Sequence, residues 1–189
     1  MKALIIISHP DKNSFCYNGI FKEIQKNLEH HAEVKIADLY HESYLRPRTK
    51  LMQKFKDWIT WSTHIYIISP VWWFRCTPRL EVFFDEVFTP GFAYDFKPLT
   101  KTYGVPVPRL KDKKLRTYIT HGAPALPVIT IYLNSVKLRL VMGVYTFVFG
   151  WKPSLFFRTK QFWSVPFATD QKRKKYLERV KRDILRDTK

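Results

Sequence analysis

Short apolar runs rich in β-branched residues recur along this chain, and stretches with helical spacing separate them. Residues 3–8 have the length and unbroken apolar character of a strand buried on both faces. From residue 14 to about 29, Ile20, Ile24 and Leu28 fall at helical spacing behind Ser14, a residue type that caps helix N-termini. Residues 33–37 read as a second short strand. Residues 51–62 alternate charge with large apolar side chains, as a surface helix does, and 65–69 form a third strand. A helix over 79–87, a fourth strand over 115–120 and a mostly helical stretch over 126–150 follow. A fifth strand lies within 156–165, and the chain ends in a basic helix over 170–187 whose Tyr176, Val180 and Ile184 share one face. No linker, repeat or change of composition interrupts this order, which predicts one domain over residues 1–189. Strands alternating with helices give an α/β fold, a doubly wound parallel sheet of five strands in three α/β/α layers.

The third strand runs straight into Pro70-Val71-Trp72-Trp73-Phe74-Arg75-Cys76-Thr77-Pro78. The carboxyl end of such a strand is where an open α/β sheet binds ligands. Three adjacent large aromatics are either core or covered by something flat, and a flavin ring is such an object. These rings are contiguous and flanked by prolines rather than periodic, which favours the second reading. After the first strand, Asn13, Ser14 and the opening amides of a helix offer what a phosphate needs: N–H donors, hydroxyls and no adjacent carboxylate. Asp11 and Lys12 are expected to point to solvent. In the loop Thr120-His121-Gly122-Ala123-Pro124, Gly122 lets backbone approach a ring closely. Other chemistries lack a pattern: there is no G-x-G-x-x-G or P-loop, no G-x-S-x-G, and no histidine with Cys or acidic companions at zinc-ligand spacing.

Taken in order, Ala3 to Tyr17, Ser69 to Tyr94 and Thr120 to Pro124 resemble the NAD(P)H:quinone oxidoreductase family. These are flavodoxin-like flavoproteins, and they include quinone reductases of the modulator-of-drug-activity type and ancillary subunits of bacterial potassium-efflux systems. The resemblance runs over roughly residues 2 to 185. It implies strand order 2-1-3-4-5, with the switch point between the first and third strands, where both suspicious loops begin. It implies a non-covalent flavin, FAD or FMN, with His9, Asn13, Ser14, Phe15 and Cys16 at its phosphates. Pro70, Val71, Trp72, Trp73 and Phe74, with Thr120, Gly122 and Ala123, would hold its ring. NAD(P)H would be the reductant, with a lean towards NADPH from the many cations, and a quinone-like molecule the acceptor. The family's G-x-A-Y loop, here Gly91-Phe92-Ala93-Tyr94, closes over the flavin of the opposite subunit in a homodimer; Tyr94 and Phe96 are therefore the expected acceptor contacts. The chain departs from the family where an active-site tyrosine and histidine are usual, near Val128 and Asn134. His121, in a Thr-like position, is the expected catalytic donor instead.

Composition refines this picture at three points. Two cysteines, Cys16 and Cys76, make neither a disulfide framework nor a metal site and suit a reducing, cytoplasmic setting. Lys137 and Arg139 inside the apolar stretch 126–149 argue against a membrane-spanning helix. The net charge of +17, concentrated near 111–116 and 172–175, comes without a nucleic-acid motif. It leaves open a solvated face, steering of a polyanionic nucleotide, or peripheral contact with an anionic membrane or a transporter.

Overall fold

The computed structural model describes all residues Met1–Lys189. β1 (Lys2–Ile7) is buried from its second residue onward, and β3 (His64–Pro70) is buried throughout. Both carry isoleucine-rich runs whose branched side chains suit a strand covered on two faces. β1 lies between β2 (Glu33–Asp38) and β3, with Ile5 opposite Ile36 on one side and Tyr66 on the other. β6 (Lys114–Thr120) pairs with β3, and β7 (Thr159–Phe162) with β6. The parallel sheet therefore has the order β2-β1-β3-β6-β7. This is the flavodoxin-like 2-1-3-4-5 arrangement, with an additional hairpin, β4 (Tyr94–Pro98) and β5 (Gly104–Pro108), inserted before the fourth strand of the sheet.

Alternation along the strands sorts side chains into two cores. Leu4, Ile6, Ile65, Ile67, Leu115 and Ile119 face one side. There they meet α2 (Thr49–Trp61) through Phe55 and Ile59, and α3 (Pro78–Val87) through Leu80, Phe83 and Val87. Ala3, Ile5, Ile7, Tyr66, Ile68 and Tyr118 face the other side, against α1 (Lys22–Leu28) and the long C-terminal helix Asp170–Asp187, which contributes Val180 and Ile184. The period of two in a doubly covered strand produces the three layers directly.

Several local features differ from the sequence expectation. The first helix starts with a π-wound segment, Phe15–Phe21, before becoming α1; Ser14 caps it as expected, its Oγ accepting from the Tyr17 amide. Inside that segment Gly19 leaves room for the Phe15 ring, which a Cβ there would meet at 2.7 Å. Residues 126–150 are not one helix but four pieces: α4 (Ala125–Thr130), α5 (Ser135–Leu138), a π-wound Arg139–Tyr145, and α6 (Thr146–Phe149). The break falls at Leu133 and Asn134, both left-handed with φ of 50° and 53°. α7 (Pro153–Arg158) then leads into β7, and α8 is the C-terminal helix Asp170–Asp187. No helix is long and apolar enough to cross a membrane.

Candidate functional site

β1, β3 and β6 all end at the same edge of the sheet, and the chain leaves β1 for β2 on one side and β3 for β6 on the other. Such a switch point opens a crevice, because successive loops diverge there. The crevice here is a cleft of about 670 Å³. His9, Asn13, Ser14, Phe15 and Cys16 line it from the first loop, Pro70, Val71 and Trp72 from the second, and Thr120, His121 and Gly122 from the third. Residues far apart in the chain thus meet: Cys16 Sγ lies 3.4 Å from Thr120 Oγ1, 104 positions away.

The loops are anchored from beneath by hydroxyls. Ser8 Oγ hydrogen-bonds Thr77 Oγ1, and the Thr77 amide donates to Ser69 Oγ at 3.4 Å, so the aromatic loop is fastened to the ends of β1 and β3. All three hydroxyl residues are fully buried and paired, as buried polar groups require. Burial pushes the Cys16 thiol up to about 12, so it is a small packed side chain rather than a nucleophile.

Each loop presents backbone amides that find no acceptor in the chain: Phe15 and Cys16 in the first, Trp73 and Phe74 in the second, Gly122 and Ala123 in the third. His9 accepts the Asp11 amide on Nδ1 at 3.0 Å, which leaves Nε2–H as its free donor, and its ring stands edge-on to Trp72. Burial lowers the His9 pKa against the opposing pull of Asp11, keeping the ring neutral. Asp11 is exposed, as expected, at the rim of the cleft it helps to line; its Oδ1 accepts the Asn13 amide at 2.7 Å and thereby shapes the loop. Beyond this loop stands Arg173 of α8. Its Nε is sealed from solvent without a partner, and its other group reaches only the Val165 carbonyl at 3.4 Å. Open amides, a hydroxyl and a guanidinium with no carboxylate partner are a donor set suited to a phosphate. Gly122 supplies a second sign of fit: a Cβ there would meet no protein atom within 4 Å and would project only into open space.

Trp73 and Phe74 stand apart. Trp72 and Arg75 exchange backbone hydrogen bonds of 2.8 and 3.1 Å, closing a tight turn whose two central residues have φ of 50° and 58°. Bulky residues are strained in this region, which favours Asn-Gly. Trp73 is 92% exposed, and Phe74 rests on Tyr132 with ring centroids 4.4 Å apart. The platform aromatics are therefore not core, and strain at such a turn is a mark of a functional loop. Replacing the pair by Trp73→Asn and Phe74→Gly should stabilise the flavin-free protein by about 1–2 kcal/mol. Chemical denaturation measures this; a loss of stability would mean the turn is held by contacts that repay its strain.

His121 is buried, with its ring stacked on Trp163 at 4.2 Å, and burial holds its pKa at about 4. Its ring is therefore neutral at physiological pH. Ala123, Trp73 and Phe74 border the loops but do not line the cleft. Tyr94 and Phe96 lie elsewhere, edge-to-face at 5.4 Å, with Tyr94 lining a separate groove beside Phe84, Phe88 and Phe147. The sequence did not single out Asn18, Gly19, Val165, Pro166, Arg173 or Leu177 as lining the cleft, nor Gln161 and Asn134 as supports of His121. Arg173 is one cation in the run 172–175, and Asn134 and Gln161 are isolated polar residues; only distant partners distinguish them.

The comparisons with known proteins agree with this geometry. A family model described as a flavodoxin-like fold matches residues 1–133. The uncharacterized NAD(P)H oxidoreductase YdeQ of Bacillus subtilis (strain 168) is 29% identical over 124 residues, 66% of this chain and 56% of that protein. The match therefore spans little more than half the length of the curated relative. Among solved structures, Smu.1420 from Streptococcus mutans UA159 superposes with a TM-score of 0.79 at 25% identity, covering 97% of this chain and 98% of the other. An FMN-dependent NADH-azoreductase of Bacillus anthracis str. Ames Ancestor, in complex with FMN, gives 0.72 at 15% identity over 100% and 99% of the two chains, a likeness of fold. With its sheet order, its cleft at the β1/β3 switch point and a family match over most of its length, the chain belongs to the flavodoxin-like fold family.

Proposed function

We propose that this protein binds a flavin non-covalently in the cleft, oxidises NAD(P)H and passes two electrons to a small flat acceptor of the quinone, azo or nitro class. The observation that carries this reading is the convergence of three loops on one cleft, where the unpaired amides of Phe15, Cys16 and Gly122 meet Ser14 and Arg173, a guanidinium with no carboxylate partner. The two named oxidoreductases among the relatives, one of them holding FMN, support it.

When bound, the flavin supplies the redox chemistry itself. The chain's own task is binding, orientation and electrostatics. Ser14, the Phe15 and Cys16 amides and Arg173 hold the phosphate end. Trp72, Thr120 and Gly122, which line the cleft, would hold the ring, with the free amides of the Trp73–Phe74 turn and of Ala123 at its border. His121, which lines the cleft, would donate to developing negative charge there, a fixed dipole that need not reorganise during the reaction. Nicotinamide and acceptor would reach the cleft from its open side in turn, in ping-pong order. The excess of lysine and arginine in the chain, a net charge of +17, favours the additional phosphate of NADPH.

Tyr94 and Phe96 line no part of the cleft of their own chain. In this reading they act from a second copy, in a homodimer that covers the exposed Leu126, Ile129, Ile131, Tyr132 and Leu133.

The test is the visible absorption spectrum after incubation with FMN or FAD and desalting, then after anaerobic NADPH. Retained flavin bands that bleach on adding NADPH are expected. Arg173→Ala should weaken retention about tenfold, as loss of a charge-assisted hydrogen bond does. A colourless protein with either flavin would sink the reading, and sedimentation as a monomer would remove its dimeric part.

A further inference from the structure

The register of β6 and β7 sets Ile119 opposite Gln161 and Thr120 opposite Phe162, and the His121 amide continues the ladder to the Phe162 carbonyl at 2.7 Å. The His121 and Gln161 side chains therefore meet at the end of the sheet. Gln161 Nε2 lies 3.0 Å from His121 Nε2 and 2.9 Å from Asn134 Oδ1. A primary amide nitrogen carries two protons and accepts none, so both go outward, one to the Asn134 oxygen and one to the ring nitrogen. A ring nitrogen that accepts cannot carry the proton of a neutral imidazole. That proton belongs on Nδ1, which has no partner in the chain and is not sealed from solvent, in a residue that lines the cleft.

Asn134 is itself held in place. Its amide donates to the Val128 carbonyl at 2.8 Å, and its left-handed backbone, which asparagine tolerates better than most residues, makes the break between α4 and α5. The Trp163 ring stacked on His121 restrains rotation of the imidazole. We infer that Gln161, anchored by Asn134, is a positioning residue that fixes His121 with its proton on Nδ1, so that the cleft meets a neutral hydrogen-bond donor. The state of the ring is a property of the protein alone; its consequence for electron transfer rests on the flavin reading above.

The experiment uses flavin-free, 15N-labelled protein. Long-range 1H–15N correlation spectra read the two ring nitrogens of His121, assigned by their loss in His121→Asn. The wild type is expected to show a protonated Nδ1 and an unprotonated Nε2. Gln161→Met removes both hydrogen bonds at similar size, and both nitrogens should move to intermediate shifts as the proton redistributes. Gln161→Glu supplies only an acceptor and should reverse the pattern, placing the proton on Nε2. A wild-type ring protonated on Nε2 would mean that both amides are turned over, and would overturn the inference. An unchanged ring in Gln161→Met would do the same. In flavin-loaded protein, Gln161→Met should weaken binding of reduced flavin about tenfold relative to oxidised flavin, seen as a lower midpoint potential. An unchanged potential alongside a scrambled ring would overturn the role towards the flavin. If the wild type retains no flavin, the proposed function and that role fall together, while the ring-proton spectra still decide what Gln161 does to His121.

Discussion

Gly122→Val is expected to cost flavin affinity on the order of 100-fold while leaving the fold intact. A Cβ at this position meets nothing within 4 Å, and Gly122 is not among the residues with positive φ, so the flavin-free protein has no reason to resist a side chain. The new methyl groups would occupy the cleft itself, whose floor Gly122 helps form. Overfilling a fitted site costs about 1–3 kcal/mol, the upper end of which corresponds to the stated loss. Titration with FMN and FAD, followed by flavin fluorescence, measures the affinity, and thermal unfolding without flavin measures stability. Gly122→Ala should fall between wild type and valine. Equal affinity in all three would place the ring elsewhere and remove Gly122 from the site. A large fall in stability would instead make Gly122 a residue of the protein's own architecture.

The largest stability effect belongs to a charge cluster beneath the other face of the sheet. Arg116 is only 4% exposed and makes a bidentate pair with Asp187, with both hydrogen bonds at 2.8 Å. Arg158 approaches the same carboxylate at 2.9 Å, and Asp183, also buried, lies 3.3 Å from Arg116 without hydrogen-bond geometry. The cluster ties the end of α8 to β6. Arg116→Met keeps the shape but leaves Asp183 as a buried, uncompensated charge. It should cost about 3–5 kcal/mol, on the order of 10 °C in Tm for a chain of this size. Adding Asp183→Leu should restore most of the loss, because the orphaned charge goes with it while Asp187 keeps Arg158. Thermal unfolding of both variants checks this; a single variant as stable as wild type would show that the cluster is open to water.

The pH dependence follows from the same group and from two histidines. Burial alone would raise the Asp187 pKa, but Arg116 and Arg158 outweigh it and hold the carboxyl below its usual value of 3.8. Its contribution is complete above that value and is lost as pH falls through the lower folded pKa. Burial likewise holds His64 and His121 at about 4, against 6.5 when exposed. The unfolded chain binds protons first, so their contribution declines as pH falls from 6.5 towards 4. Stability curves measured between pH 7 and pH 5 should therefore slope downward on acidification.

Much of this could be read along the chain. Strands with runs such as Leu4 to Ile7 and Ile65 to Ile68 declare themselves by length and branching, because a strand covered on both faces must be apolar at every position. Ser14 announces the helix behind the first loop, and the contiguous Trp72, Trp73 and Phe74 announce a surface built for something flat. The hairpin of β4 and β5 was hidden by Pro98, Pro106 and Pro108, which weaken a strand pattern yet are tolerated where no third strand needs their amides. The breaks within 126–150 were hidden for the opposite reason, since an apolar helical pattern continues across them and only the left-handed backbone of Leu133 and Asn134 divides it. By itself, then, the sequence determined the alternation of strands and helices, the parallel three-layer class and the two loops that leave the first and third strands, all of which depend on period and composition within a few residues. Only the tertiary structure decided that Arg173 lines the same cleft as Ser14, that Gln161 reaches both His121 and Asn134, and that Tyr94 lies outside its own chain's cleft. Those are contacts between residues many positions apart, set by strand register and by the docking of α8 on the sheet, and no local pattern encodes them.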